Sequence, residues 1–102
     1  MVEVQYRFRR SILRTGESFT VNSEARRGLV GILSPPRTRM YLSDSIISSV
    51  GRPIYAFIVP DDDTTTDTDV IEWGGKSFDV LKVVERVWRG SVLFKVLVGV
   101  EV

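Results

Sequence analysis

The stretch from Ser77 to Val98 constrains this chain more than any other feature. Phe78, Val80, Lys82, Val84, Arg86 and Trp88 fall on one face of an extended strand, and Ser77, Asp79, Leu81, Val83, Glu85 and Val87 on the other. Arg89-Gly90-Ser91 then reads as a turn, and Val92 to Val98 is nearly all β-branched or apolar. Apolar residues occupy both faces of this pair, so both faces need cover. Just upstream, Val70, Ile71 and Trp73 run into Gly74-Gly75, a glycine pair able to supply the positive φ angles of a tight hairpin. Two hairpins joined in this way make a meander.

The rest of the chain is read around that meander. Ile54, Phe57 and Val59 lie in an apolar run that stops at Pro60. Val2, Val4, Tyr6 and Phe8 alternate with Glu3, Gln5, Arg7 and Arg9, which predicts a strand with one wet face. Phe19 and Val21 suggest another after a turn at Thr15-Gly16, and Leu29, Val30, Ile32 and Leu33 form a short run ended by Ser34-Pro35-Pro36. Residues 34–52 follow as one long loop, with an apolar cluster of neither helical nor strand period. The expected fold is all-β: a small barrel of six to seven mostly antiparallel strands in one domain spanning residues 1–102.

Composition removes several chemistries. The 102 residues contain no cysteine and no histidine, which excludes disulfides, thiolate metal sites and the side chain that most readily titrates near neutral pH. No run approaches the roughly 20 apolar residues of a membrane span, so no membrane association is expected. Phosphate-binding glycine motifs and the G-x-S-x-G nucleophile pattern are missing too, and neither an enzymatic activity nor a cofactor is expected. The net charge of +1 conceals an asymmetry. Residues 1–52 carry nine arginines against four acids, a net of +5, and residues 53–102 carry five bases against nine acids, a net of −4.

The acids concentrate in a loop at residues 60–69. Asp61, Asp63, Asp67, Asp69 and Glu72 match calcium-loop ligand spacings, but Thr66 stands where the sharp turn needs glycine, and the flanks read as strands. A solvated inter-strand loop kept extended by its own repulsion is the better reading. At the N-terminus, Arg7, Arg9, Arg10 and Arg14 interleave with Tyr6 and Phe8. On a strand the aromatics point away from the face carrying Arg7 and Arg9, which weakens the case for stacking on nucleic acid and leaves only loose phosphate contact.

The segment from Asp69 to Val80, Gly28 to Leu33 with its following proline loop, and Pro53 to Val59 together resemble the head–tail joining (head-completion or stopper) proteins of tailed bacteriophages. The similarity runs from about Gly16 to Val100; the acid run and the arginine-rich start have no counterpart in that pattern. The resemblance implies a homo-oligomeric ring of six or twelve β-barrel subunits at the head–tail interface of the virion. Such a ring sits between portal or adaptor proteins and tail-terminator or tail-tube proteins, and its channel meets DNA without sequence preference. It further implies a channel gate in residues 34–52, formed by Pro35, Pro36, Arg37, Arg39, Met40, Tyr41, Leu42, Ile46 and Ile47. Within such a ring the charge asymmetry acquires a role: Arg7, Arg9, Arg10, Arg26 and Arg27 on one subunit would meet Asp61, Asp62, Asp63 and Asp67 on the next. A tail-terminator or other tail-completion ring protein fits the same meander, and a small nucleic-acid-binding barrel is the expectation from a different class.

Overall fold

A computed structural model describes residues 2–102, with side chains from residue 4 onward. The chain runs α1 (Val2–Thr15), β1 (Glu17–Val21), β2 (Glu24–Ile32), α2 (Pro35–Thr38), α3 (Asp44–Val50), β3 (Ile54–Pro60), β4 (Val70–Trp73), β5 (Lys76–Trp88) and β6 (Ser91–Glu101). The strands close into an all-antiparallel barrel in the order β1-β2-β3-β6-β5-β4, with β4 returning to β1. That is the small all-β barrel expected from the sequence, with six strands and the meander β4-β5-β6 at its C-terminal end.

Three two-residue turns set the strand registers. Asn22-Ser23, Gly74-Gly75 and Arg89-Gly90 all adopt positive φ at both positions, the geometry whose twist matches paired strands. Glycine supplies it at three of these positions without steric cost. Asn22, Ser23 and Arg89 adopt it as side-chain-bearing residues, and asparagine tolerates it best.

Phe19, Val21, Phe57, Val59, Ile71, Phe78, Val80 and Leu97 point inward and form the buried interior, with Tyr55 and Trp73 packed against it. The rings of Phe57 and Phe78 meet edge-on at 5.3 Å, and Phe19 tilts against Phe57 at 5.3 Å. Removing either fully buried phenylalanine would cost about 3–5 kcal/mol by cavity formation. A second cluster lies outside the barrel. Ile54, Ala56, Val96 and Val98 face out from β3 and β6, and Leu42, Tyr41, Ile47 and Val50 cover them.

Two sequence expectations give way here. The alternation proposed for Phe78 to Trp88 breaks at Leu81, because Val80 pairs with Gly99 while Lys82 pairs with Val98. The extra residue exchanges the faces: Phe78, Val80 and Val83 serve the interior, whereas Leu81 and Val84 join the outer cluster. The second correction concerns the N-terminus, which is a helix where a strand was expected. Gln5, Phe8, Arg9 and Ile12 recur at helical spacing and face the barrel, Ile12 being 3% exposed. The sides assigned to Val2 and Glu3 lie outside the described side chains. Tyr6 and Phe8, expected to be core-facing together, are separated by the helical period: Phe8 stacks on Phe94 at 5.4 Å while Tyr6 is 54% exposed.

The helix ends against the barrel. Gly16 N–H donates to the Ile12 carbonyl at 2.9 Å, and the Arg27 guanidinium donates to the carbonyls of Leu13 (2.9 Å) and Gly16 (2.6 Å). A cation is thereby fixed at the helix C-terminus, where the helix dipole favours it. Close approach makes Gly28 obligatory nearby, since a Cβ there would sit 2.4 Å from the Ile58 carbonyl oxygen. Gly28→Ala should therefore lower stability by about 1–3 kcal/mol by overpacking. Gly31→Ala, with no atom within 4 Å of its added Cβ, should stay within about 0.5 kcal/mol. Urea unfolding of the two variants checks the contrast.

Candidate functional site

The 60–69 segment is held by its acids rather than merely solvated through them. After Pro60 the chain turns, with Asp63 N–H donating to the Pro60 carbonyl at 3.2 Å. Asp61 then accepts a two-pronged pair of hydrogen bonds from Arg9 Nε and Nη2, both 3.0 Å. Asp62 lies 4.0 Å from the same guanidinium. The Asp63 side chain is 4% exposed; it accepts the Thr65 N–H at 2.8 Å and faces Arg26 at 3.4 Å. Lys95 donates to the Asp63 carbonyl at 2.7 Å. At the far end Asp69 accepts from Asn22 Nδ2 (2.7 Å) and from the Thr66 N–H (2.8 Å). Asn22 Oδ1 in turn accepts the Val70 N–H at 3.0 Å.

Arg9 with Asp61, and Arg26 with Asp63, are thus the charge pairs that the sequence suggested for neighbouring subunits, and both form within one chain. Arg27 is engaged at the helix end, Arg10 stacks over Tyr6 at 5.7 Å, and Arg7 and Asp67 are exposed. The calcium spacing does not become a site. Asp61, Asp63 and Asp69 turn to separate partners, Glu72 is on the outer side of β4, and no three such ligands converge among the described residues.

Residues 34–52, expected as one long loop, contain the two short helices α2 and α3 and lie over the outer surface of β3 and β6. Pro35 and Pro36 open α2, where their missing N–H groups leave no helical bond unmade. Thr38, buried and only 4% exposed, donates its hydroxyl to the Ser34 carbonyl at 2.9 Å. Tyr41 accepts from Arg86 through its hydroxyl (3.1 Å) and from Lys82 through its carbonyl (3.0 Å), with the Arg86 guanidinium 5.2 Å above its ring. Tyr41, Leu42 and Ile47 are therefore committed to the chain's own barrel. Met40 is 67% exposed and Ile46 43% exposed, while Arg39 pairs with Asp44 at 3.6 Å. Arg37 and Met40 form one wall of an apolar groove of about 280 Å³ whose other wall includes Leu29 and Ile32 of β2.

Sequence reading missed the outer side of α1. Arg7, Arg10 and Arg14 sit at i, i+3 and i+7, opposite the packed Gln5–Phe8–Ile12 stripe, and all three are exposed. The separation of Phe8 and Ile12 by four fits a helix face and a strand face alike, so the local pattern carried no signal that distinguishes the two. Among the described residues no helix is long and apolar enough to cross a membrane. Comparison with protein-family models, curated proteins and solved structures finds no match to this chain.

Two outcomes follow from the pairing. Arg9→Ala and Asp61→Ala should each lower the urea midpoint, and the double variant should fall no further than the worse single variant, since both remove one interaction. The Asp69 carboxyl is held below its ordinary value of 3.8, first by the Thr66 N–H and then by Asn22. A depressed carboxylate adds stability that is present above pH 3.8 and is lost as pH falls through the folded-state value. The stability gap between wild type and Asp69→Asn should accordingly shrink as the buffer is taken below pH 3.8, as followed by thermal melts.

Proposed function

We propose that the chain is a structural subunit of a bacteriophage neck, one copy of a ring that joins the DNA-filled head to the tail. One observation carries the assembly part of this reading: large apolar side chains are exposed in two groups, one in the groove where the end of β2 meets the segment after α2 and one at the tip of the β5–β6 hairpin. Ile32 is 65% exposed, Met40 67%, Val87 58% and Trp88 42%. Val87 and Trp88 belong to the tip of the β5–β6 hairpin, beyond the last β3–β6 pair at Pro60 and Phe94. Ile32 and Met40 share one groove and Val87 and Trp88 one hairpin tip, so this apolar surface is grouped rather than scattered, and grouped apolar surface marks interaction sites. The head-completion assignment rests on the resemblance of the Asp69–Val80, Gly28–Leu33 and Pro53–Val59 segments. Met40, Ile46 and Arg37 are the gate residues whose side chains remain available to a channel, Arg39 is paired with Asp44, and Tyr41, Leu42 and Ile47 act as the gate's anchor.

A nucleic-acid-binding barrel is the second reading, and one observation favours it. The helix brings exposed Tyr6 onto the side of α1 that carries Arg10, an aromatic–cation pair of the kind that stacks and neutralises single strands. Imaging the purified chain with portal–adaptor complexes or with tail-less filled heads separates the two. A ring on the portal axis is expected. A monomer that ignores these particles and binds single-stranded DNA with a steep salt dependence overturns the neck assignment.

A further inference from the structure

The outer face of α1 has a counterpart on the opposite side of the same molecule. The helix packs on β2, β3 and β6, and β4 lies three strands from β3 around the closed barrel. The outward residues of β4 and the adjoining start of β5 are Val70, Glu72, Ser77 and Asp79, all exposed and none covered by a helix. Val70 is an exposed apolar residue at 38%, and Tyr6 on the helix is one at 54%. On the helix Arg10 lies one turn from Tyr6 and Arg14 two turns from it, while on the sheet Asp79 is directly opposite Val70 and Glu72 is two residues along the same strand.

The spacings correspond. Arg10 and Arg14 are four apart on a helix, which places their Cβ atoms about 6 Å from each other. Glu72 is directly opposite Ser77, so Asp79 is its diagonal neighbour, about 7–8 Å away across the strand pair. We infer that the outer face of α1 on one copy of this chain docks on the β4–β5 face of the next, with Arg10 and Arg14 against Glu72 and Asp79. The two patches differ and lie on opposite sides, so the contact is head-to-tail and propagates from copy to copy until the rotation closes a ring. This deepens the ring reading and rests on it.

A nucleic-acid strand suits the helix face less well. The stripe from Arg7 to Arg14 is only about 10 Å long at helical rise, enough for few phosphates. Asp61 and Asp62 also sit beside the helix at Arg9, where they oppose an approaching polyanion. A second copy offers two carboxylates at the spacing of Arg10 and Arg14.

Charge reversal tests the pairing. Arg10→Glu with Arg14→Glu, and separately Glu72→Arg with Asp79→Arg, are introduced into the full chain, and assembly is followed by sedimentation and electron microscopy. Each reversed pair should raise the half-assembly concentration by about tenfold or more, because like charges then meet. Mixing the two variants, or combining all four substitutions, should restore assembly towards the wild-type value. Wild type that assembles while both reversals leave it unchanged, or reversals that no swap restores, overturns the inference but leaves the ring reading standing. Loss of single-stranded DNA binding in the arginine variant, with assembly intact, assigns the face to nucleic acid instead. Wild type that stays monomeric, alone and on portal complexes, removes the ring reading and this inference with it.

Discussion

Barrel closure at the β1–β4 seam is the constraint on which the rest of the molecule depends. The seam is short: Thr20 pairs with Glu72 and Val21 with Ile71. So brief a ladder cannot hold a sheet shut by backbone hydrogen bonds alone, each worth only about 1 kcal/mol net. The interior does the holding. Val21 and Ile71, neighbours across the seam, both pack into the cluster centred on Phe57 and Phe78, so opening the seam would bring the aromatic core into water. Asn22 adds a polar clasp immediately beyond, exchanging hydrogen bonds with Val70 and holding Asp69. Without closure, β1 and β4 would present open strand edges to other chains.

The charged connections continue the same logic. Arg9 and Asp61 are 52 residues apart in sequence, and Arg27 reaches back to the end of α1 from β2. Each ties an element outside the barrel to the barrel wall. The acidic segment can follow the barrel end because Asp61, Asp63 and Asp69, which would otherwise repel one another, are each held by their own donors: Arg9, Arg26 with Thr65, and Asn22 with Thr66.

Much of the architecture was legible in the sequence because strand signals are local. Gly74-Gly75 and Arg89-Gly90 marked their own turns, and the apolar runs around Phe57 and Leu97 located the central strands. What escaped was set by distant partners. Residues 2–8 satisfy a period of two, and only Ile12 with its barrel contacts decides for the helical period. The bulge at Leu81 follows from pairing with β6, which no property of Leu81 announces. The charge pairs had the right members but the wrong address: Arg9 and Asp61 were matched by sign, and only the position of α1 against the end of β3 puts them in one chain.

The two apolar clusters share the strands β3 and β6 but no residue, one filling the barrel and the other lying under α2 and α3. The barrel can thus remain shut while the outer cover lifts. Lifting it would bare Ile54, Ala56, Val96 and Val98 as an apolar strip on the sheet. In that condition the molecule is folded and adhesive at once: its failure mode is not unravelling but sticking, native barrel to native barrel, along the strip that Tyr41 and Leu42 ordinarily roof.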